Sequence, residues 1–259
     1  MEVLTPRSLA EALALKAERP DAVPIQGGTD VMVELNFDRG RPPALLNLNE
    51  VPELRGWSRE NGSLRLGSGL TYTEAMELAD PLLALAEASR TVGGPQIRNR
   101  GTIGGNLGTA SPAGDALPPL LVYGAEVELA SSGGSRTVPL AEFLVGPKRN
   151  ALDADELIVA VRIPVPGPRQ TFMKVGPRNA MVIAVVSLAL VVDGDELRAS
   201  FGSAGPVPGL VRAPVGERDI FPEQVAEAAT PIDDVRGTAR YRRHALRVLT
   251  ERALERSLA

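Results

Sequence analysis

Apolar positions recur at helix or strand spacing along most of this chain and lapse in one stretch. Leu9, Ala12, Leu13 and Lys16 fall on successive turns of a helix that Thr5-Pro6 opens, with Thr as N-cap and Pro as first helical residue. The apolar run 22–25 predicts a strand ending in Gly27-Gly28, and 45–48 and 63–66 predict two more. Asp80-Pro81 caps a second helix through about Arg90. Val127 and Leu129 alternate with Glu126 and Glu128, which predicts a strand over 125–130, and another follows over 157–163. Past the proline-rich connector 164–168, strands are predicted over 171–175, 184–192 and 197–203, with a hairpin turn at Asp193-Gly194. A last helix over 238–258 puts Tyr241, Ala245, Val248, Leu249 and Ala253 on one face. The class is α+β, with a domain over 1–165 in two lobes divided near 50–60, and a smaller one over 169–259.

Between Thr91 and Asp115 the periodicity lapses. Glycines stand at 93, 94, 101, 104, 105, 108 and 114, and the stretch reads as a long ordered loop, a usual place for function. Two segments offer ligand chemistry. In Pro24, Ile25, Gln26, Gly27, Gly28, Thr29, Asp30 and Val31, a strand runs into two glycines and small polar side chains, which suits a tight turn or a pyrophosphate held by backbone N–H groups. In 98–115, many backbone donors accompany the hydroxyls of Thr102, Thr109 and Ser111, the Asn106 amide and the Asp115 carboxylate. That chemistry fits phosphates at one end and a polyhydroxy chain at the other. The glycine spacing is neither GxGxxG nor a P-loop.

Composition narrows the chemistry. The chain has no cysteine, which removes disulfides, thiolate nucleophiles and Cys-held zinc or iron–sulfur clusters, and His244 is the single histidine. Redox chemistry here therefore calls for a bound organic cofactor. A formal net charge of −4, with no basic stripe, gives no electrostatic case for nucleic acid. The N-terminal MEVLTPRSLAEALAL lacks the form of a signal peptide, and the longest apolar run, 181–192, is too short to span a membrane, so a cytoplasmic location is expected.

The segment IRNRGTIGGNLGTASPAGD resembles the flavin loop of the FAD-binding medium subunits of the molybdenum hydroxylase family, which includes xanthine dehydrogenases, aldehyde oxidoreductases and aerobic carbon monoxide dehydrogenases. QGGTDVM, ELIVAVRIP, FMKVGPRNAMVIAVVSLAL and FGSAGPVPGLVRA are similar to further family segments in the same order. The resemblance implies a two-lobed domain of the p-cresol methylhydroxylase and vanillyl-alcohol oxidase type, followed by a C-terminal domain of antiparallel strands and helices. It implies non-covalent FAD, with Pro24 to Val31 around the pyrophosphate and Thr102, Ile103, Gly104, Gly105 and Asn106 completing the phosphate and ribityl site. Thr109 and Asp115 would hydrogen-bond nearer the flavin, Val92 and Ile158 would make apolar contacts, and Lys174 would reach the ring edge. Gly108-Thr109 stands where many members carry Ala-Asn.

The resemblance further implies a molybdenum cofactor in a large partner subunit and iron–sulfur clusters in a small one. Electrons would pass to the FAD and on to NAD, quinone or oxygen. A free-standing flavin oxidoreductase and a scaffold without flavin stay as alternatives. Arg240, Arg242, Arg243 and Arg247 on the last helix offer a face for a partner, with a solvated face as the other reading. Arg98 and Arg100 suit phosphate or an acidic partner surface. Asp233-Asp234 read as an N-terminal charge or cap for that helix, and Met173 and Met181 read as core.

Overall fold

The computed structural model describes residues 1–259. The chain opens with a three-stranded parallel sheet in the order β1-β3-β2, formed by β1 (Glu2–Leu4), β2 (Val23–Ile25) and β3 (Ala44–Asn47). Helices α1 (Leu9–Glu18) and α2 (Val31–Asn36) connect the strands. Ser8, not Thr5, caps α1 and accepts the Glu11 N–H, so the helix starts later than the Thr-Pro signal suggests. Lys16 is buried under this sheet and donates to the carbonyls of Pro20 and Ala22.

A five-stranded antiparallel sheet follows, built from β4 (Trp57–Glu60), β5 (Ser63–Gly67), β6 (Glu126–Ser131), β7 (Gly134–Pro139) and β10 (Leu157–Pro164), in the order β4-β5-β10-β6-β7. Between β5 and β6 lie α3 (Tyr72–Ala75), α4 (Ala79–Thr91), α5 (Pro95–Arg98), α6 (Ile103–Thr109) and α7 (Leu117–Val122). Between β7 and β10 lie α8 (Leu140–Phe143) and the small hairpin of β8 (Leu144–Gly146) and β9 (Arg149–Asn150). The stretch 91–115 is therefore not one long loop, because it carries α5 and α6. Nor does Asp80 cap α4: it lies inside the element with extended φ/ψ.

The last sheet is antiparallel, in the order β11 (Arg169–Val175), β12 (Val186–Asp193), β13 (Glu196–Gly202), β14 (Gly209–Pro214). Its β12 is apolar on both faces because both are covered. Val186, Leu188, Leu190 and Val192 pack with α9 (Phe221–Ala228) and α10 (Ala239–Leu258), while Ala189 and Val191 join the core that contains α4 and α7. The hairpin loop is Gly194-Asp195, one residue later than expected, with Gly194 at φ 56°.

The face of α10 is rotated from expectation. Its buried positions are Arg242, Ala245, Leu246, Leu249, Thr250, Ala253 and Leu254, and Tyr241 is exposed. Arg242 is 2% exposed, pairs with Asp234 and donates to the Val185 and Ser203 carbonyls, so it belongs to the core and not to a partner-facing surface. The Asp234 carboxyl lies below its usual range because Arg236, then its backbone N–H and Arg242, donate to it. Met181 also departs from expectation, being exposed in the β11–β12 connection. Met173 packs against the core as expected.

Candidate functional site

One cavity of about 470 Å³ lies at the carboxyl end of β2, between α6 and β10. The carboxyl edge of a parallel sheet is a favoured place for ligands, and the volume suits a cofactor of about 300–1,000 Å³ pockets. All eight residues from Pro24 to Val31 line it, as do Thr102, Gly104, Gly105, Asn106, Thr109 and Ile158. The two glycine-bearing segments are tied together directly. Arg100 donates to the Gln26 carbonyl and to Asn49 Oδ1, both at 3.2 Å, and Thr109 Oγ1 donates to Asp30 Oδ2 at 3.0 Å.

Hydrogen-bond accounting separates the two segments. The backbone N–H groups of Gln26, Gly27, Gly28, Thr29 and Asp30 have no acceptor within the chain. Gly28 holds a left-handed φ of 73°, which a side chain would strain, and a Cβ on Gly27 would collide with the Arg100 carbonyl. At α6 the donors are already used: Ile103 N–H bonds Leu70 O at 2.9 Å, Gly104 N–H bonds Ser68 O at 2.8 Å, and Gly105 N–H bonds the N-cap Thr102 Oγ1 at 3.0 Å. Gly104 and Gly105 thus give the ligand space and the helix a close approach, not free donors. Two polar atoms beside the cavity, Ser68 Oγ and Asn106 Oδ1, are buried without a partner. Such orphans are costly unless a ligand or water completes them.

Four residues expected at the site lie outside the cavity lining. Ile103 is wholly buried core. Val92, Asp115 and Lys174 gather beside Thr91 on the border between α4 and β11. Lys174 Nζ stands 2.5 Å from Asp115 Oδ2 and donates to Thr91 O at 3.2 Å, and Thr91 Oγ1 reaches Asp115 at 3.4 Å. Lys174 is therefore held in a buried ion pair, with side chains 7% and 8% exposed. Burial pushes the Asp115 carboxyl up to about 6, against the pull of the Lys174 ammonium, and its Oδ1 has no donor.

Ser68, Tyr72, Lys148, Leu152, Glu156 and Leu157, none of them among the residues expected at the site, also line the cavity. The Gly67-Ser68-Gly69 run after β5 is a readable sign of close backbone approach, whereas nothing local marks Lys148. Arg98 turns away from the cavity, to the carbonyls of Val92 and Gly93. His244 is exposed on α10, and Asp233 accepts the first N–H of that helix, from Ala239.

Residues 1–166 match the family described as the FAD binding domain in molybdopterin dehydrogenase. The chain belongs to this family and is a FAD-binding medium subunit of the molybdenum hydroxylase class, the flavoprotein component of an oxidoreductase. It is 32% identical over 275 residues to the xanthine dehydrogenase FAD-binding subunit of Escherichia coli O157:H7, covering 97% of this chain and 94% of that one. It is 28% identical over 268 residues to the glyceraldehyde dehydrogenase medium chain of Sulfolobus acidocaldarius, covering 96% and 95%. The reconstituted CO dehydrogenase from Oligotropha carboxidovorans superposes with a TM-score of 0.91 at 26% identity, covering 99% of this chain and 97% of that one. The two-part α+β architecture read from the sequence agrees with this neighbour.

The residues present fit FAD. Five free N–H groups suit a diphosphate, the orphaned Ser68 and Asn106 atoms suit a polyhydroxy chain, and Ile25, Leu152, Leu157 and Ile158 offer apolar surface for a ring. No helix is long and apolar enough to cross a membrane.

Proposed function

We propose that this chain is the electron-relaying flavoprotein of a three-part complex, and that the cavity at β2 is its FAD site. The reading is carried by the five consecutive free N–H groups of 26–30 on a cavity wall. Residues 24–31 hold the diphosphate through the backbone, and the α6 glycines let it lie close against the helix. Ser68 and Asn106 border the ribityl chain beside the Thr102 cap of α6, and Ile158 supports the cofactor by apolar contact, whereas Val92, Asp115 and Lys174 stand outside the cavity lining, with Lys174 held by Asp115. FAD, when bound, supplies reversible uptake and release of one or two electrons. The chain's own work is to orient the ring, exclude water around it and set the charge beside it.

Electrons enter across an interface, since the chain has no cysteine with which to hold a cluster of its own. The relative from Sulfolobus acidocaldarius is called a medium chain, which supports a large and a small partner. In this reading the large subunit holds a molybdenum cofactor, the small one iron–sulfur clusters, and the acceptor is NAD, quinone or oxygen. A stable contact of roughly 1,200–2,000 Å² or more is required.

The test is co-expression with the subunits encoded beside it. The expected product is a complex that survives gel filtration, carries one FAD per chain by absorbance, and reduces that FAD only when an oxidisable substrate reaches the large subunit. A chain that elutes alone and oxidises a small organic substrate unaided is a free-standing enzyme. A complex without flavin makes this chain a scaffold.

A further inference from the structure

Four charged side chains border the cavity, and only one is a cation. Asp30, Glu34 and Glu156 are carboxylates, and Lys148 is the ammonium. Two of the carboxylates are engaged elsewhere: Arg136 donates to both oxygens of Glu156 at 2.6 and 2.8 Å, and Thr109 donates to Asp30. Glu34 and Lys148 face each other at 3.8 Å, with side chains 58% and 69% exposed. A pair so exposed and so long is weak and screened by salt, so Lys148 can exchange its partner readily.

The backbone fixes where that lysine stands. Lys148 takes a left-handed φ of 55° in the turn between β8 and β9, and its N–H donates to the Ala110 carbonyl at 3.0 Å. Asn150 Nδ2 donates to the Gly108 carbonyl at 2.9 Å. The turn is thereby pinned to the C-terminal end of α6, beside the residues that close onto Asp30. What remains free is the four-carbon stem and its charge. Glu34 lies one helical turn beyond Asp30, so the ammonium stands at the end of the segment that carries the free N–H groups.

We propose that Lys148 is a ligand of the FAD diphosphate, giving up Glu34 to pair with it. This rests on the reading that the cavity holds FAD. Peptide N–H groups supply partial charges, and a diphosphate entering past Asp30 and Glu34 needs a full positive charge to offset theirs. Of the other cations nearby, Arg136 is paired with Glu156, and Arg100 stands outside the cavity lining with Nη2 on the Gln26 carbonyl and Asn49 Oδ1. A lysine acts here as a mobile point charge, which suits a partner exchange better than a fixed fork.

The experiment titrates the full chain, stripped of flavin, with FAD, ADP and riboflavin at low and high salt. Lys148→Gln is expected to weaken FAD and ADP together by about fivefold to tenfold at low salt, as one exposed charge does, with the difference shrinking at high salt. Lys148→Arg restores most of the affinity, and riboflavin, which has no phosphate, is unaffected. Glu34→Gln acts in the opposite direction and tightens FAD a fewfold. An unchanged FAD constant in Lys148→Gln overturns the assignment, as does a loss for FAD without a loss for ADP, or an equal loss at both salts. Wild-type protein that binds neither FAD nor ADP sinks the cavity reading itself, a result distinct from any of these. Lys148 and Glu34 are both exposed, so circular dichroism is expected to show each variant folded.

Discussion

Gly27-Gly28 and Gly104-Gly105 are alike as sequence and opposite as structure. Each pair borders the same cavity and is followed by a small polar residue. After β2, glycine lets the backbone turn with its N–H groups unspent, and Gly28 takes a φ of 73° that favours glycine. At α6, glycine lets a helix lie against a strand end: a Cβ on Gly104 would stand 2.5 Å from Ser68 Cβ, and the helix's first donors are all bonded. A glycine pair is thus one solution to two problems, leaving donors free or bringing backbones together. Accounting for every N–H distinguishes them, and spacing does not.

The largest test of this contrast is Gly105→Val. Gly105 is exposed, and an added Cβ meets only Thr102 Oγ1 at 3.1 Å, so the fold tolerates the change while the cavity is filled. Valine is also the better helix former. The expected result is loss of FAD by a factor of about a hundred or more, the scale set by blocking a preformed site, with an unfolding midpoint within a few degrees of wild type. Full flavin occupancy in this variant would remove α6 from the site.

Much of the architecture was legible because burial on one face imposes a period. Strands β2, β3, β5, β6, β10, β11, β12 and β13 fall where runs or alternation placed them, within a residue or two. The failures have local physical causes. The three glycines of α6 lower helix propensity, but the Thr102 cap and packing against Ser68 override it. Ser8 won the N-terminus of α1 because its oxygen, three residues before Glu11, reaches the Glu11 N–H. Arg242 reads as solvent-facing until Asp234 and two carbonyls are seen to hold it, and that rotation exposes Tyr241. At the site, both glycine segments were legible, and their convergence followed from the family resemblance. The ion pairing of Lys174 and the arrival of Lys148 depend on contacts 59 and 114 residues apart, to Asp115 and Glu34, which no local pattern records.

The second test concerns the polar cluster beside the cavity. Asp115 has one oxygen on Lys174 and one without a donor, and burial raises its carboxyl to about 6 from an ordinary 3.8. Between those values the folded state holds a proton that the unfolded state releases. Its contribution to stability is therefore full only below about pH 3.8 and is lost as pH rises through about 6, a change of about 2–3 kcal/mol at roughly 1.4 kcal/mol per unit. Asp115→Asn removes this dependence. Asparagine also leaves the buried Lys174 ammonium without its counter-ion, a constant cost, so the flavin-free variant is expected to gain on wild type by about that amount between pH 3.8 and neutral pH, measured by urea unfolding across the range. A stability difference that stays flat with pH would show the carboxylate to be fully compensated by Lys174, and so as self-contained as α6.

The smallest effect decides what α6 does. Thr102 is 4% exposed and its Oγ1 accepts the Gly105 N–H at 3.0 Å, the side-chain cap of the helix. Thr102→Val keeps the shape and removes the cap, at a cost of about 1 kcal/mol. In a chain of this size that lowers the midpoint by about 2–4 °C. If α6 serves as scaffold, FAD affinity then changes less than about threefold, since no group that touches the diphosphate is lost and one cap of this strength is local. A tenfold or greater loss of FAD at an unchanged midpoint points the other way. It would place the Thr102 hydroxyl on the cofactor itself, and the contrast between the two glycine pairs would shrink to one of degree.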